Sequence, residues 1–376
     1  MDMRRKKVLS LLLALAMMLS LTACSAGEPV ADTQATVSET DVSGEEVSAE
    51  TAISEEGTEE ETSGAEAVET ETAYPVTVTD QAGREVIIEE EPQKLVSGYY
   101  ISTSLLIALD LDEKLVGIEA KADTRPIYQL SAPELLELPS VGTAKEFDLE
   151  GCAALEPDLV ILPLKLESAA ESLEELDIDV LLVNPEDQEL LNEMIALIGT
   201  ATNTEERAQA LLDFAAGQEE RLAQALTDVE MPSVYLAGNS DFLSTAGDSM
   251  YQSDMIRMAG GVNAAAEITD TYWAQVSYEQ VLAWNPEYIV LASDASYTVE
   301  DVLGDPNLAG CAAVENGNVY RIPGDAEAWD SPVPSGILGA VWLSSALHPG
   351  ECPQADSEAI IDEYYETFYG FTYSEN

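Results

Sequence analysis

The stretch "FDLEGCAALEPDLVILP" (residues 147–163) has an echo in "VSYEQVLAWNPEYIVLAS" (residues 276–293). In each, a glutamate (Glu150, Glu279) opens a short apolar run of helical character, and a proline (Pro157, Pro286) follows seven residues later. Proline ends a helix because its ring clashes with the preceding turn and it has no N–H to donate. An apolar run then follows at the same offset, "DLVIL" or "EYIVL", with the length and composition of a buried strand. A chain that builds the same acid–helix–proline–strand unit twice is expected to contain two similar α/β lobes.

The sequence around the two copies agrees. "YPVTVTDQAGREVIIEEEP" alternates Val76, Val78, Val86 and Ile88 with polar neighbours about "DQAGR" and reads as a β-hairpin. Strand-like "QKLVSGYY", "EKLVGIEA", "PSVG", "DLVILP" and "DVLLVNP" alternate with helical "ISTSLLIALDL" and "SAAESLEELDI". Such alternation predicts a parallel sheet covered on both faces. Residues 74–186 are therefore assigned to an N-terminal α/β lobe with a leading hairpin. Residues 187–230 lack a strand signal and keep helical spacing through Ala208, Leu211, Leu212, Ala215 and Ala216, so they read as a helical connector. Its second half, at helical rise, is about 30 Å long, which makes it a rigid connector between two Rossmann-like lobes. Alternation resumes over 231–376 with "PSVYLAG", "MYQSDMIRMAGG", the second copy and "NVYRIP", closed by helical "SGILGAVWLSSAL" and "SEAIIDEYYETFYG".

The N-terminus has a different character. "MDMRRKK" and the apolar "VLSLLLALAMMLSL" have the charge and length of a signal peptide over residues 1–24. "LTAC" resembles the bacterial lipobox and makes Cys24 the expected lipidation site, anchoring the protein to the outer face of the cell membrane without spanning it. Residues 25–73 are dominated by Glu, Thr, Ser, Ala and Gly and hold no basic residue, a disordered acidic tether that reaches about 40 Å as a random coil.

The formal charge of −57, from 15 Lys+Arg against 72 Asp+Glu, argues against nucleic acid or an anionic surface as a partner. With Cys24 assigned to lipid, Cys152, Cys311 and Cys352 remain, without CxxC or metal-ligand spacing. A Cys311–Cys352 bridge and three buried thiols are both compatible with the sequence.

The folded portion resembles the substrate-binding proteins of ABC importers for iron chelates, haem and vitamin B12, the periplasmic-binding-protein type with a helical spine. The resemblance rests on "VTDQAGREVIIEEEPQKLVS", "LDEKLVGIE", "LEPDLVIL", "VSYEQVLAWNPEYIVL" and "LGAVWLSSALHP", in order over about residues 74–369. It implies a monomer with a ligand cleft between lobes, a small-molecule metal chelate as cargo, and an ABC permease dimer with ATPase subunits as partner. It also implies a role for the twinned acids: Glu150 and Glu279 would meet permease arginines. On the residues alone, each acid stabilises a helix N-terminus by about 0.3–1 kcal/mol.

Ligands of open α/β sheets gather beyond the carboxyl ends of the strands. The segments expected there offer Tyr99, Tyr100, Arg125 and Lys145 from the first lobe and Met250, Tyr251, Tyr272, Trp273 and Trp329 from the second. Aromatic loop tips suit a broad, largely apolar ligand: a ferric siderophore first, with a corrinoid or haem as alternatives. Haem would take an axial Tyr99, Tyr100 or Met250. Trp284 and Trp342 keep helical spacing and read as core. The sole histidine, His348, cannot supply the several imidazoles of a zinc or manganese site. No intrinsic cofactor, bound metal or catalytic set is expected, since GxSxG, HExxH and a phosphate-binding glycine loop are absent from the sequence. A surface-anchored hydrolase and a ligand sensor on the same scaffold are the alternatives from other classes.

Overall fold

The computed structural model describes residues 73–376 except 270 and 272. The expected signal peptide, Cys24, the acidic tether to residue 72 and Tyr272 lie outside the described residues.

The chain enters through an antiparallel hairpin, β1 (Val76–Thr79) and β2 (Glu85–Ile88). Val78, Val86 and Ile88 point inward while their neighbours stay exposed, the period-two alternation of a half-buried ribbon. Buried Asp80 fixes the turn. Its carboxylate accepts from the backbone N–H groups of Ala82, Arg84 and Leu182 and pairs with the Arg84 guanidinium, at 2.6–3.0 Å. The hairpin is thereby stitched to the edge of the first sheet.

That sheet comprises β3 (Leu95–Ser97), β4 (Leu115–Gly117), β5 (Leu159–Pro163) and β6 (Asp179–Val183), all parallel, in the order β4-β3-β5-β6. Beyond the helical region come β7 (Ser233–Ala237), β8 (Ser244–Ala246), β9 (Val262–Asn263), β10 (Trp273–Gln275), β11 (Tyr288–Leu291) and β12 (Val319–Arg321). Four of them make a second parallel sheet, in the order β12-β11-β7-β9. Numbered within each lobe, both sheets run second, first, third, fourth. The two copies of the repeat occupy the same place in this scheme, each entering the third strand. β5 is buried along its whole length and β11 along all but its first residue, as expected of central parallel strands covered on both faces.

The likeness extends to single atoms. Helix Leu149–Ala154 is capped by Asp148, which accepts from the Gly151 N–H; helix Tyr278–Trp284 is capped by Ser277, which accepts from the Gln280 N–H. Each unit then turns through a left-handed non-glycine residue directly before its proline, Glu156 (φ 51°) and Asn285 (φ 47°). The acid after the proline binds the backbone entering the lobe's first strand: Asp158 accepts from the N–H groups of Gln93 and Lys94, and Glu287 from that of Ser233.

Between the sheets lie helix Gln188–Thr202, ended by left-handed Asn203, and helix Glu205–Ala225. Arg207 fastens the start of the longer helix: it donates to the carbonyls of Ala108 and Thr367 and pairs with Asp110. Phe214 meets Tyr364 and Phe368 edge-on at centroid distances of 5.1 and 6.0 Å. One apolar cluster runs from the first sheet through this spine into the second lobe, with satellite clusters inside each lobe.

Two details differ from expectation. "PSVG" forms two isolated bridges, Ser140 to Ile118 and Gly142 to Phe147, rather than a strand, and an unforeseen antiparallel pair, β8–β10, stands beside the second sheet. Cys152, Cys311 and Cys352 are all free and buried. Burial pushes the Cys152 thiol up to about 12.

Candidate functional site

The carboxyl ends of both sheets feed one cavity between the lobes, of about 230 Å³. Tyr100 follows β3 and Arg125 follows β4 in the first lobe. Asn239 follows β7 and Asp294 follows β11 in the second, and Glu327 and Ser331 come from the segment after β12. This is where the switch in strand order opens a crevice in such sheets.

Arg125 is the cation of this cavity. Its guanidinium lies 4.1 Å above the Tyr100 ring, an arrangement that holds a cation over the aromatic face. It is half-buried and forms no ion pair among the described residues. Two buried carboxyls stand near enough for its charge to act on them. Glu119, two residues past β4, accepts from the hydroxyls of Thr103 (2.6 Å) and Tyr128 (2.7 Å). Glu327 accepts from those of Ser104 (2.5 Å) and Ser335 (2.6 Å). Burial raises both above the ordinary carboxylate range, opposed by these hydrogen bonds and by Arg125. Burial likewise raises the Tyr100 phenol, with Arg125 opposing. The cavity thus gathers one guanidinium without an ion-pair partner among the described residues, a phenol held beneath it, the carboxyls of Asp294 and Glu327, and the uncharged polar groups of Thr124, Asn239 and Ser331.

The segment from Ala326 to Val333 ties the lobes together. Glu327 reaches Ser104 of the first lobe, and the Ile127 N–H donates to the Ala326 carbonyl. Asp330 fastens the same segment to the second lobe by accepting from the Ser293 hydroxyl at 2.6 Å.

Of the residues expected at the site, the structure brings Tyr100 and Arg125 into the cavity. Tyr99 packs edge-on against Tyr100 at 5.2 Å and is mostly buried behind it. Lys145 is exposed at the tip of a tight turn in which Thr143 and Glu146 exchange backbone hydrogen bonds, away from the cavity lining. Trp273 is 41 % exposed on β10, its ring against Gly238 at the carboxyl end of β7; it stands near the cavity without lining it. Met250, Tyr251 and Trp329 are corrections. Met250 is the buried N-cap of helix Tyr251–Met258, and Tyr251 is sealed inside at 1 % exposure. Trp329 is 1 % exposed and donates its indole N–H to the Tyr365 hydroxyl at 2.9 Å. All three are apolar enough to be drawn into the second lobe's core rather than left at loop tips.

The sequence reading missed Asn239, Asp294, Glu119 and Glu327. The first two were findable, since each directly follows a strand of the second sheet. The buried glutamates carry no such signal, because carboxyls of this kind are ordinarily exposed. Glu150 and Glu279 are both exposed, each two residues past its helix cap. The Glu279 carboxyl is held below its usual range by its own backbone N–H and by Ser277.

A model of the family described as "Periplasmic binding protein" matches residues 95–326. The molybdate-binding protein MolA of Haemophilus influenzae is 29 % identical over 323 residues, covering 79 % of this chain and 91 % of its own. Its solved structure with molybdate bound superposes with a TM-score of 0.68 at 26 % identity, over 79 % of this chain and 99 % of that one. An uncharacterized ABC transporter substrate-binding lipoprotein of Bacillus subtilis, YvrC, is 28 % identical over 289 residues, or 73 % of this chain and 86 % of its own. A periplasmic solute-binding protein of Veillonella parvula superposes with a TM-score of 0.70 at 27 % identity, over 79 % and 93 % of the two chains.

Proposed function

This chain belongs to the periplasmic binding protein family, the substrate-binding components of ABC importers, and from that premise we propose that it captures a compact metal-bearing anion in the cleft between its lobes. The cargo is a metal oxyanion or a small anionic metal chelate, the latter including the ferric siderophore expected from sequence. The observation that carries this reading is Arg125: a guanidinium at the meeting point of both lobes, stacked on Tyr100 and without a carboxylate partner of its own. Similarity to a molybdate-binding protein supports the oxyanion case. The cleft volume of about 230 Å³ lies below the roughly 300–1,000 Å³ typical of drug-sized ligands. It therefore favours an oxyanion over a siderophore chelate, a corrinoid or haem, each of which would need the lobes further apart.

In the same reading the protein is held outside the cell by lipid on Cys24 and acts as a monomer. It presents Glu150 and Glu279, one on each repeat helix, to its permease. Its work is binding and delivery, without catalysis.

Calorimetric titration of the purified chain with molybdate, tungstate, ferric siderophores, cobalamin and haem tests the ligand class. Saturable one-to-one binding of an oxyanion or an anionic ferric chelate, lost in Arg125→Ala, is the expected result. Binding of cobalamin alone, or no heat from any member of the panel, would overturn it.

A further inference from the structure

A second cavity, of about 560 Å³, lies in the second lobe beside helices Ile337–Leu347 and Gln354–Tyr369. The half-buried rings of Tyr320, Trp342 and Tyr373 contribute to its wall, with Trp329 closed behind Tyr373, as do the carboxylates of Glu358 and Asp362. Among the described residues, every side chain lining it is neutral or acidic. Neither carboxylate takes part in an ion pair there.

The wall is pre-organised. Trp329 is fixed through Tyr365, and Tyr373 lies 5.3 Å from the Trp329 ring and stacks on Tyr365 at 5.4 Å. Asp362 accepts from the backbone N–H and the hydroxyl of Ser374 at 2.8 and 2.7 Å, and Glu358 accepts from the Gln354 amide at 2.7 Å. These donors are uncharged, so they hold the carboxylates in place without supplying a cation. Aromatic faces carry negative potential and attract cations within about 6 Å, and the two acids add to that attraction. A strongly hydrated metal ion would lose much of its water against the apolar rings and regain at most the two carboxylates, fewer oxygen ligands than such ions take. An alkylammonium ion loses little hydration and matches both kinds of wall.

We propose that this cavity is a second binding site, for a small organic cation of the quaternary ammonium class, independent of the inter-lobe cleft. The test is titration of the protein with choline and, in parallel, with 3,3-dimethylbutan-1-ol, its uncharged isostere, followed by calorimetry and tryptophan fluorescence. Choline is expected to saturate one site at least tenfold more tightly than the alcohol. Glu358→Gln, an exposed position that leaves the fold alone, should weaken choline several-fold, and Trp342→Ala should abolish binding and its fluorescence change. Arg125→Ala should leave choline binding intact, which separates this site from the cleft. Equal affinity for the two probes, no saturation at millimolar choline, or loss of choline binding in Arg125→Ala would each overturn the proposal.

Discussion

Replacing Arg125 by alanine tests the cleft most directly. At about 4 Å, a ligand anion and the guanidinium attract by roughly 4 kcal/mol at the effective dielectric of a partly exposed site. Arg125 is half-buried, so desolvation and screening offset much of this, leaving the 1.5–3 kcal/mol or so of a hydrogen bond to a charged group. At 1.4 kcal/mol per decade, Arg125→Ala should weaken an anionic ligand by roughly 10- to 150-fold. Arg125→Lys keeps the charge but loses the planar fork and the stacking on Tyr100, so it should recover only part of that loss. Stability should change little, because the side chain's named contact within the protein is the Tyr100 face, worth about 0.5–1 kcal/mol at an exposed site. Calorimetric Kd values for the three proteins, with thermal melts as the folding control, measure both effects. An Arg125→Ala protein that melts normally and binds within twofold of the parent would refute the reasoning. So would an equal loss for charged and uncharged ligands.

Four further substitutions have expected outcomes. Charge reversal at both Glu150 and Glu279 should abolish stimulation of the permease ATPase while ligand Kd stays unchanged; undiminished stimulation would reduce both residues to helix-terminus stabilisers. Burial lifts Glu327 above its unfolded pKa, so its contribution to stability is complete below the ordinary carboxylate range and declines as pH rises through the raised value. Glu327→Gln should therefore gain stability relative to the parent as pH increases, in urea melts from pH 5 to 8, whereas a gap independent of pH contradicts it. Gly339 sits where an added Cβ would meet the Met255 sulfur and the Trp329 carbonyl oxygen, both at 2.7 Å. Gly339→Ala should cost about 1–3 kcal/mol by overpacking, while Gly217→Ala, on the spine helix with open space around it, should gain about 0.5–1 kcal/mol, each read from the shift in Tm.

The sequence by itself determined that there are two α/β lobes and a long helix between them. Its evidence was local: helix periodicity, an acid opening each short apolar run, a proline at a fixed offset, and strands apolar enough to be covered on both faces. Each of those is decided by residues within a few positions of one another, so it is legible along the chain. β8 and β10 escaped notice because "STA" and "WAQ" lack the apolar, β-branched run that marked the equally short β3, β4 and β12. The composition of the site was decided by tertiary structure. Whether Trp329 faces a ligand or Tyr365, and whether Glu327 is solvated or locked to Ser104, depends on segments far apart in sequence arriving at one place. Tyr100 and Trp329 look alike as aromatic loop residues; the fold sends one to the cleft and closes the other inside the second lobe. Packing, a property of neighbours that sequence order does not reveal, made that choice.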